Sequence, residues 1–197
     1  MLSRYETKEV FVISSNENFH KYVQENLPNR DYTVTGEAYS CTEARQKMIS
    51  RGYAVVLVNI PLADESGTEL ASDLAENTSN TVVAVVKHEL EDELREYLEP
   101  FGIFVLGRPF PHTSFHQVMY DAAAAHARLQ IAASENQRLQ TKLLDLRIIN
   151  RAKYALIQYL GMTEDQAHKY IEQQAMNMRI PKRTAAENIL KSYEQQG

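Results

Sequence analysis

The chain has 197 residues, 44% of them hydrophobic and 24% charged, with one cysteine and a net charge of -5. That supplies ample apolar material for a packed core and argues against a disordered chain, while a single thiol excludes an intramolecular disulfide and any multi-cysteine metal site. The charge is unevenly spread, with 10 Lys/Arg against 19 Asp/Glu in residues 1–125 and 11 against 7 in residues 126–197, so the back part alone suits a polyanion, although a solvated helical face carries a similar excess.

Met1–Thr7 hold no long apolar run, so no secretory leader is expected. No stretch reaches the ~20 apolar residues of a membrane span, and the expectation is a cytoplasmic protein without membrane contact. Val10-Phe11-Val12-Ile13 reads as a short buried strand, followed by a helix marked by Phe19, Tyr22, Val23 and Leu27. Thr33-Val34-Thr35 reads as an edge strand. Ser40-Cys41-Thr42-Glu43 has the Ser-x-x-Glu pattern of a helix start, which makes Cys41 a bland thiol at the head of a helix marked by Ala44, Met48 and Ile49. Ala54–Val58, closed by Asn59, is the strongest strand, followed by a helix over 67–76, a strand over Thr81–Val86, a helix over about 90–99 and a last strand at Phe104-Val105-Leu106. Five strands alternating with helices predict an α/β domain with a five-stranded parallel sheet covered on both faces. Ligands of such sheets sit beyond the carboxyl ends of the strands, here Ser14-Ser15, Asn59, Val86-Lys87 and Gly107-Arg108.

From His112 the pattern is helical without Gly or Pro until Gly161. Phe115, Val118, Ala122, Ala125, Leu129, Ala132, Asn136, Leu139, Leu143, Leu146 and Asn150 step by three and four, a heptad seam with Phe115, Ala122, Leu129, Asn136, Leu143 and Asn150 at its a positions. Asn at an a position favours a two-stranded, in-register parallel coil, so a homodimer is expected with Leu129, Asn136, Leu139, Leu143 and Asn150 in its seam. The plainer alternative is that the first half of the run is the last helix of the sheet domain. After Gly161, Thr163-Glu164-Asp165-Gln166 is a capping box opening a helix with Ala167, Ile171, Ala175 and Met178 on one stripe. Arg179–Arg183 breaks it, and Thr184-Ala185-Ala186-Glu187 reads as a second capping box before Ile189 and Leu190. The expected division is a sheet domain over 1–111, a helix extending into a coiled-coil linker over 112–138, and a small three-helix bundle over 139–197.

Over about residues 8–125 the order of elements resembles the receiver domain of two-component response regulators. Asn59–Leu70, ending in Asp64-Glu65-Ser66-Gly67-Thr68-Glu69-Leu70, lines up with the loop that begins at the receiver's phosphorylated aspartate, and Arg108-Pro109-Phe110 with its Lys-Pro-Phe stretch. The resemblance implies that Asn59 replaces the acceptor aspartate, Ser14-Ser15 the acidic pair that binds Mg²⁺, Val86 the switching Ser/Thr and Arg108 the lysine. Phosphoryl transfer requires the carboxylate and a cation held by acids; an amide is a poor nucleophile, and serines are weak ligands for a hard cation. A pseudo-receiver without phosphorylation chemistry, cofactor or metal is therefore expected, with Asp64 and Glu65 as the nearby carboxylates that could substitute. His112 and His116 lie four apart without a third ligand and read as a solvated pair. No nucleophile elbow, Walker loop or His-Glu-x-x-His pattern occurs, so no enzyme is expected.

Residues about 139–192 resemble the ANTAR domain, the RNA-binding module of transcription antiterminators. The resemblance rests on Ile149-Asn150-Arg151-Ala152-Lys153, Gly161–Ala167, Gln174-Ala175-Met176 and Ala185–Leu190. Leu146-Arg147 stands where the family usually has Arg-Lys, and Tyr154 where it has a small Gly. The resemblance implies leader-RNA stem-loops as the partner, held so that a terminator does not form. Apart from the family, Arg147, Arg151 and Lys153 on one helix, and Arg179, Lys182 and Arg183 before the next, are dense enough for phosphate contacts. Thr184 and its helix start offer amides to a phosphate, and Tyr154 offers a face for an unpaired base. The plainer reading is that these cations are solvated. A pseudo-receiver coiled-coil adaptor acting through protein–protein contacts is the rival function, and an unknown protein or small molecule is left as the regulator in place of phosphorylation.

Overall fold

The computed structural model describes residues 7–28, 31–48 and 52–194, and the chain divides into two compact units, 1–131 and 132–197. In the first, β1 (Lys8–Ile13), β2 (Tyr32–Ala38), β3 (Val55–Asn59), β4 (Thr81–Lys87) and β5 (Phe104–Arg108) alternate with α1 (Glu17–Asn26), α2 (Cys41–Lys47), α3 (Thr68–Asn77) and α4 (Glu91–Leu98), followed by the first turns of α5 (His112–Leu160). The strands pair in parallel in the order β2-β1-β3-β4-β5. Connections leave β1 towards opposite edges of the sheet, and the crevice for a ligand opens where that direction reverses, at the carboxyl ends of β1 and β3.

The near-continuous apolar runs are explained by burial on two faces. Side chains alternate along a strand, so Phe11, Ile13, Val56, Val58, Val82 and Ala84 enter one layer with Ala44, Leu70, Leu74 and Leu98 of α2, α3 and α4. Val10, Val12, Val55, Leu57 and Val83 enter the other with Val23 of α1 and Phe115, Met119, Ala122 and Ala123 of α5. The edge position of β2 follows its sequence, which is the most polar of the five. Gly36 of β2 faces Phe11 where the β1–β2 register shifts, and a Cβ there would run into the Phe11 ring.

Ser40 caps α2 by accepting the Glu43 N–H at 3.1 Å, and Glu43 reaches back to the Tyr39 N–H at 2.8 Å, one residue before the cap itself. Ile49, assigned to this helix by its pattern, lies outside the described residues. His112 and His116 pack ring against ring at 4.0 Å. His116 is no solvated residue: its Nε2 donates to the Asn26 carbonyl at 3.0 Å, tying α5 to the end of α1.

In the second unit the end of α5 packs with α6 (Glu164–Met178) and α7 (Lys182–Glu194). Ala152, Ala167, Ala175, Ala185 and Ala186 let the helices approach closely around Leu156, Ile171 and Ile189. The Thr163–Gln166 capping box forms as expected, and Arg179 ends α6 in the left-handed region at φ 53°. The expected box at Thr184 does not open α7. That helix starts two residues earlier at Lys182, with the Pro181 carbonyl accepting the Ala185 N–H at 3.1 Å. Glu187 turns to Arg183 Nε at 2.9 Å instead of folding back on a cap. Pro181 cannot extend α6 but is compatible with a helix start, so the break is confined to Arg179, Ile180 and Pro181. No helix of the described residues is long and apolar enough to cross a membrane.

Candidate functional site

At the carboxyl ends of β1 and β3 the residues that the receiver resemblance singles out are tied to one another. Ser14 is fully buried; its hydroxyl accepts the Asn59 amide N–H at 2.9 Å and the Asn16 N–H at 3.1 Å. His20 Nε2 donates to the Ser14 carbonyl at 2.8 Å. The Ser15 hydroxyl donates to the Tyr39 carbonyl at 3.0 Å and accepts the Ala63 N–H at 2.7 Å, joining the loops after β2 and β3. Arg108 donates to the Ile60 carbonyl at 3.1 Å. Val86 is wholly buried in the core layer under α2–α4. Asn59 Oδ1 and Arg108 Nε are buried without a partner among the described residues.

This donor set does not fit Mg²⁺. A hard cation takes several oxygens, with carboxylates foremost, and here two neutral hydroxyls already serve as hydrogen-bond ties beside one amide. The neighbouring carboxylates are committed elsewhere. Asp64 accepts the N–H groups of Cys41 at 2.9 Å and Thr42 at 3.1 Å, at the start of α2, and those amides hold its pKa down at about 2. Glu65 takes both Arg45 Nη atoms, at 2.7 and 2.9 Å. Burial, reinforced by Asp64 and Glu65, pushes the Cys41 thiol up to about 11. Cys41, Asp64 and Glu65 lie within ligand reach of one another, but a protonated thiol and two engaged carboxylates form a helix cap rather than a metal site.

The predicted seam divides in two. Phe115 and Ala122 are buried under the sheet of the first unit, with Met119 rather than Val118 at the centre of that face. Further along, Leu129, Leu139, Leu143 and Leu146 are 51, 50, 58 and 56% exposed. Asn136 is exposed on the same heptad row, and Asn150 lies at the end of it, also exposed.

In the second unit, three of the predicted cations are ion-paired. Lys153 Nζ meets Glu164 at 3.0 Å, Lys182 meets Glu172, and Arg183 meets both Asp145 and Glu187, at 3.0 and 2.9 Å. Arg183 therefore bridges α5 and α7, and Lys182 links α7 to α6. Arg147, Arg151 and Arg179 are exposed, Tyr154 is 71% exposed, and Thr184 is half-buried in the first turn of α7. The Arg147 and Arg179 side chains make no ion pair among the described residues. The ion pairs escape sequence reasoning because their partners are as much as 38 positions apart.

Comparison with known proteins follows the same division. Residues 137–190 match the family model of the ANTAR domain. The chain is 23% identical to the transcriptional regulatory protein PdtaR of Mycobacterium tuberculosis (strain ATCC 25618 / H37Rv) over 168 residues, 85% of this chain and 82% of the relative. It is 28% identical to the aliphatic amidase regulator of Pseudomonas aeruginosa over 123 residues, 62% of this chain and 63% of that one. Among solved structures, the signal receiver domain of an HD domain-containing protein from Pseudomonas fluorescens Pf-5 aligns with a TM-score of 0.57 at 19% identity, covering 70% of this chain and 98% of its own. A CheY-like response regulator receiver domain from Methanospirillum hungatei JF-1 aligns at 0.55 and 15%, covering 61 and 97%. The first unit thus has the receiver fold, and residues 137–190 form an ANTAR domain.

Proposed function

We propose, from an ANTAR domain set behind a receiver fold without acceptor or metal ligands, that the chain is a cytoplasmic, homodimeric RNA-binding antitermination regulator whose control does not depend on aspartyl phosphorylation. The observation that carries this reading is the ANTAR match over 137–190, on the part of the chain with a basic excess. The module is expected to hold hairpins of a leader RNA through Arg147, Arg151, Lys153, Arg179, Lys182 and Arg183. A parallel coiled coil over Leu129–Leu146 pairs two modules, and two linked modules bind two hairpins with an effective concentration that a single one lacks. The exposed leucines of α5 support a second copy as the occupant of that face. Independence from phosphorylation is supported by Asn59 hydrogen-bonded to Ser14 where a nucleophile would stand.

The adaptor reading keeps one observation in its favour. Lys153, Lys182 and Arg183 are already matched by carboxylates of their own unit, so each must exchange a partner before gripping a phosphate. Titration of the full-length protein with RNA hairpins over a range of salt separates the two readings. Binding should weaken steeply with salt, and Lys153→Ala or Arg179→Ala should each lower the slope of log affinity against log salt by roughly 0.7–0.9. Tyr154→Ala should weaken binding by ~1–3 kcal/mol with the slope nearly unchanged, as loss of a stacking face does. Hairpin affinity that is absent, or indifferent to Lys153→Ala and Arg179→Ala together with helicity retained, would favour the adaptor.

A further inference from the structure

The sheet-facing stripe of α5 runs on past the sheet. Phe115, Met119, Ala122 and Ala123 pack under the strands, whereas the next residues of the stripe, His126, Ala127, Gln130 and Ile131, line a cavity of about 890 Å³. Its other wall is the amino end of the three central strands: Lys8 opens β1, Ala54 precedes β3 and Ser79 lies just before β4. The cavity belongs wholly to the first unit, at the end of the sheet opposite Ser14 and Asn59. Small side chains make the room, since Ala54, Ala123 and Ala127 each offer a single methyl group.

Lys8 and Glu9 bring one charge of each sign to this lining, and the Lys8 ammonium is engaged over the Tyr32 ring, 4.6 Å from its centroid. His126 supplies the polar anchor. Burial holds its imidazole below the ordinary pKa, against a smaller opposing pull from the Ser79 backbone, so the ring is neutral at pH 7. Its Nε2 is 3.5 Å from the Gln130 amide nitrogen, and its Nδ1 is buried without a partner among the described residues. An unpaired buried nitrogen is costly, and a ligand group that pairs it recovers that cost. A carbonyl can do so only if Nδ1 carries the proton, whereas a hydroxyl both donates and accepts and serves either tautomer. Ile131, 69% exposed, offers apolar surface for a ligand body to cover. We propose that this cavity binds a small uncharged molecule with an apolar body and a hydroxyl group. The body lies against Ala127 and Ile131, and the hydroxyl pairs with His126 Nδ1, a few polar groups in a mostly apolar cavity being usual for small-molecule sites. Such a ligand touches α5 beside Leu129, the first exposed leucine of the heptad row, and its binding does not depend on the RNA-binding reading.

The test uses the full-length protein and naphthol as the probe, with naphthalene as the counterpart without a hydroxyl and naphthoate as the charged one. Equilibrium dialysis at pH 7 should show saturable binding of naphthol, with naphthalene held roughly fivefold more weakly, the net worth of one hydrogen bond. Naphthoate should bind more weakly still, because its carboxylate is desolvated beside a neutral imidazole. His126→Leu should make naphthol and naphthalene equal. Ala127→Phe, which fills the cavity from an exposed helix position, should abolish binding of both while the melting behaviour is retained. The absence of saturable naphthol binding overturns the proposal, as does binding that survives Ala127→Phe. A preference for naphthol that outlasts His126→Leu, or naphthoate bound as tightly as naphthol, overturns it equally.

Discussion

The dimer proposed through α5 is open to a quantitative test at Leu139 and Leu143, which are 50 and 58% exposed in the single chain. Burying a fully exposed leucine contributes about 1.5–3 kcal/mol, and roughly half of each side chain remains to be covered. Each leucine is therefore worth ~1 kcal/mol to association, and ~2 kcal/mol per position because two copies contribute. The double variant Leu139→Ala/Leu143→Ala should lose ~4 kcal/mol of dimer stability, about a thousandfold in the dimer dissociation constant. Analytical ultracentrifugation over a range of concentrations reads that constant directly. The sheet unit should keep its melting behaviour, because neither leucine belongs to its core. Asn136→Val provides the opposite perturbation: a polar a-position residue lowers coiled-coil stability while fixing register, so its replacement should tighten the dimer. A double alanine variant with an unchanged dissociation constant would refute the seam, as would a wild-type chain that remains monomeric throughout the concentration range.

Two further outcomes follow from the strand-end pocket. Incubation with a small-molecule phosphodonor and Mg²⁺ should leave the intact mass unchanged, because Asn59, Ser14 and Ser15 supply neither nucleophile nor cation ligands; a stoichiometric, base-labile adduct would show that Asp64 or Glu65 serves instead. The Cys41 thiol, pushed up to about 11, should resist alkylation at pH 8 in the native protein and react freely in denaturant. Since its folded pKa lies above the unfolded value of about 8.5, the stability it contributes is full below that value and is lost as pH rises towards 11. Ready alkylation at pH 8 without unfolding would contradict the buried placement.

The sheet was legible because its signal is physical and local. A run such as Val55–Val58 that is apolar at every position fits a strand covered on both faces, and turn residues punctuate each strand. The Thr163 capping box was equally readable, as its two hydrogen bonds lie within four residues. The Thr184-x-x-Glu187 pattern misled for the complementary reason: the same residue types serve a cap or an ion pair, and Arg183, one position earlier, offered Glu187 the stronger partner. The heptad row was visible along its whole length, yet periodicity alone does not distinguish a face covered by the chain's own sheet from one left to a second copy. Burial separates Phe115 and Ala122 from Leu129 onward.

The altered pocket also carries a consequence for control. A receiver switches because its acidic site is unsatisfied until a phosphoryl group and a cation arrive, so the site has two states that differ in charge. In this chain the Ser14 hydroxyl accepts the Asn59 amide N–H, and the Ser15 hydroxyl joins the two flanking loops. On the proposed reading such a site has no charge to gain and offers a phosphodonor no differential affinity between two states, and a ligand shifts an equilibrium only by that difference. On the proposed reading, regulation must then act where states still differ. The exposed leucine row of α5 is such a place, because its free energy depends on whether a second copy covers it. A partner that masks the row would separate the modules without touching their RNA-facing residues, so it should weaken binding to a two-hairpin RNA while leaving affinity for a single hairpin unchanged.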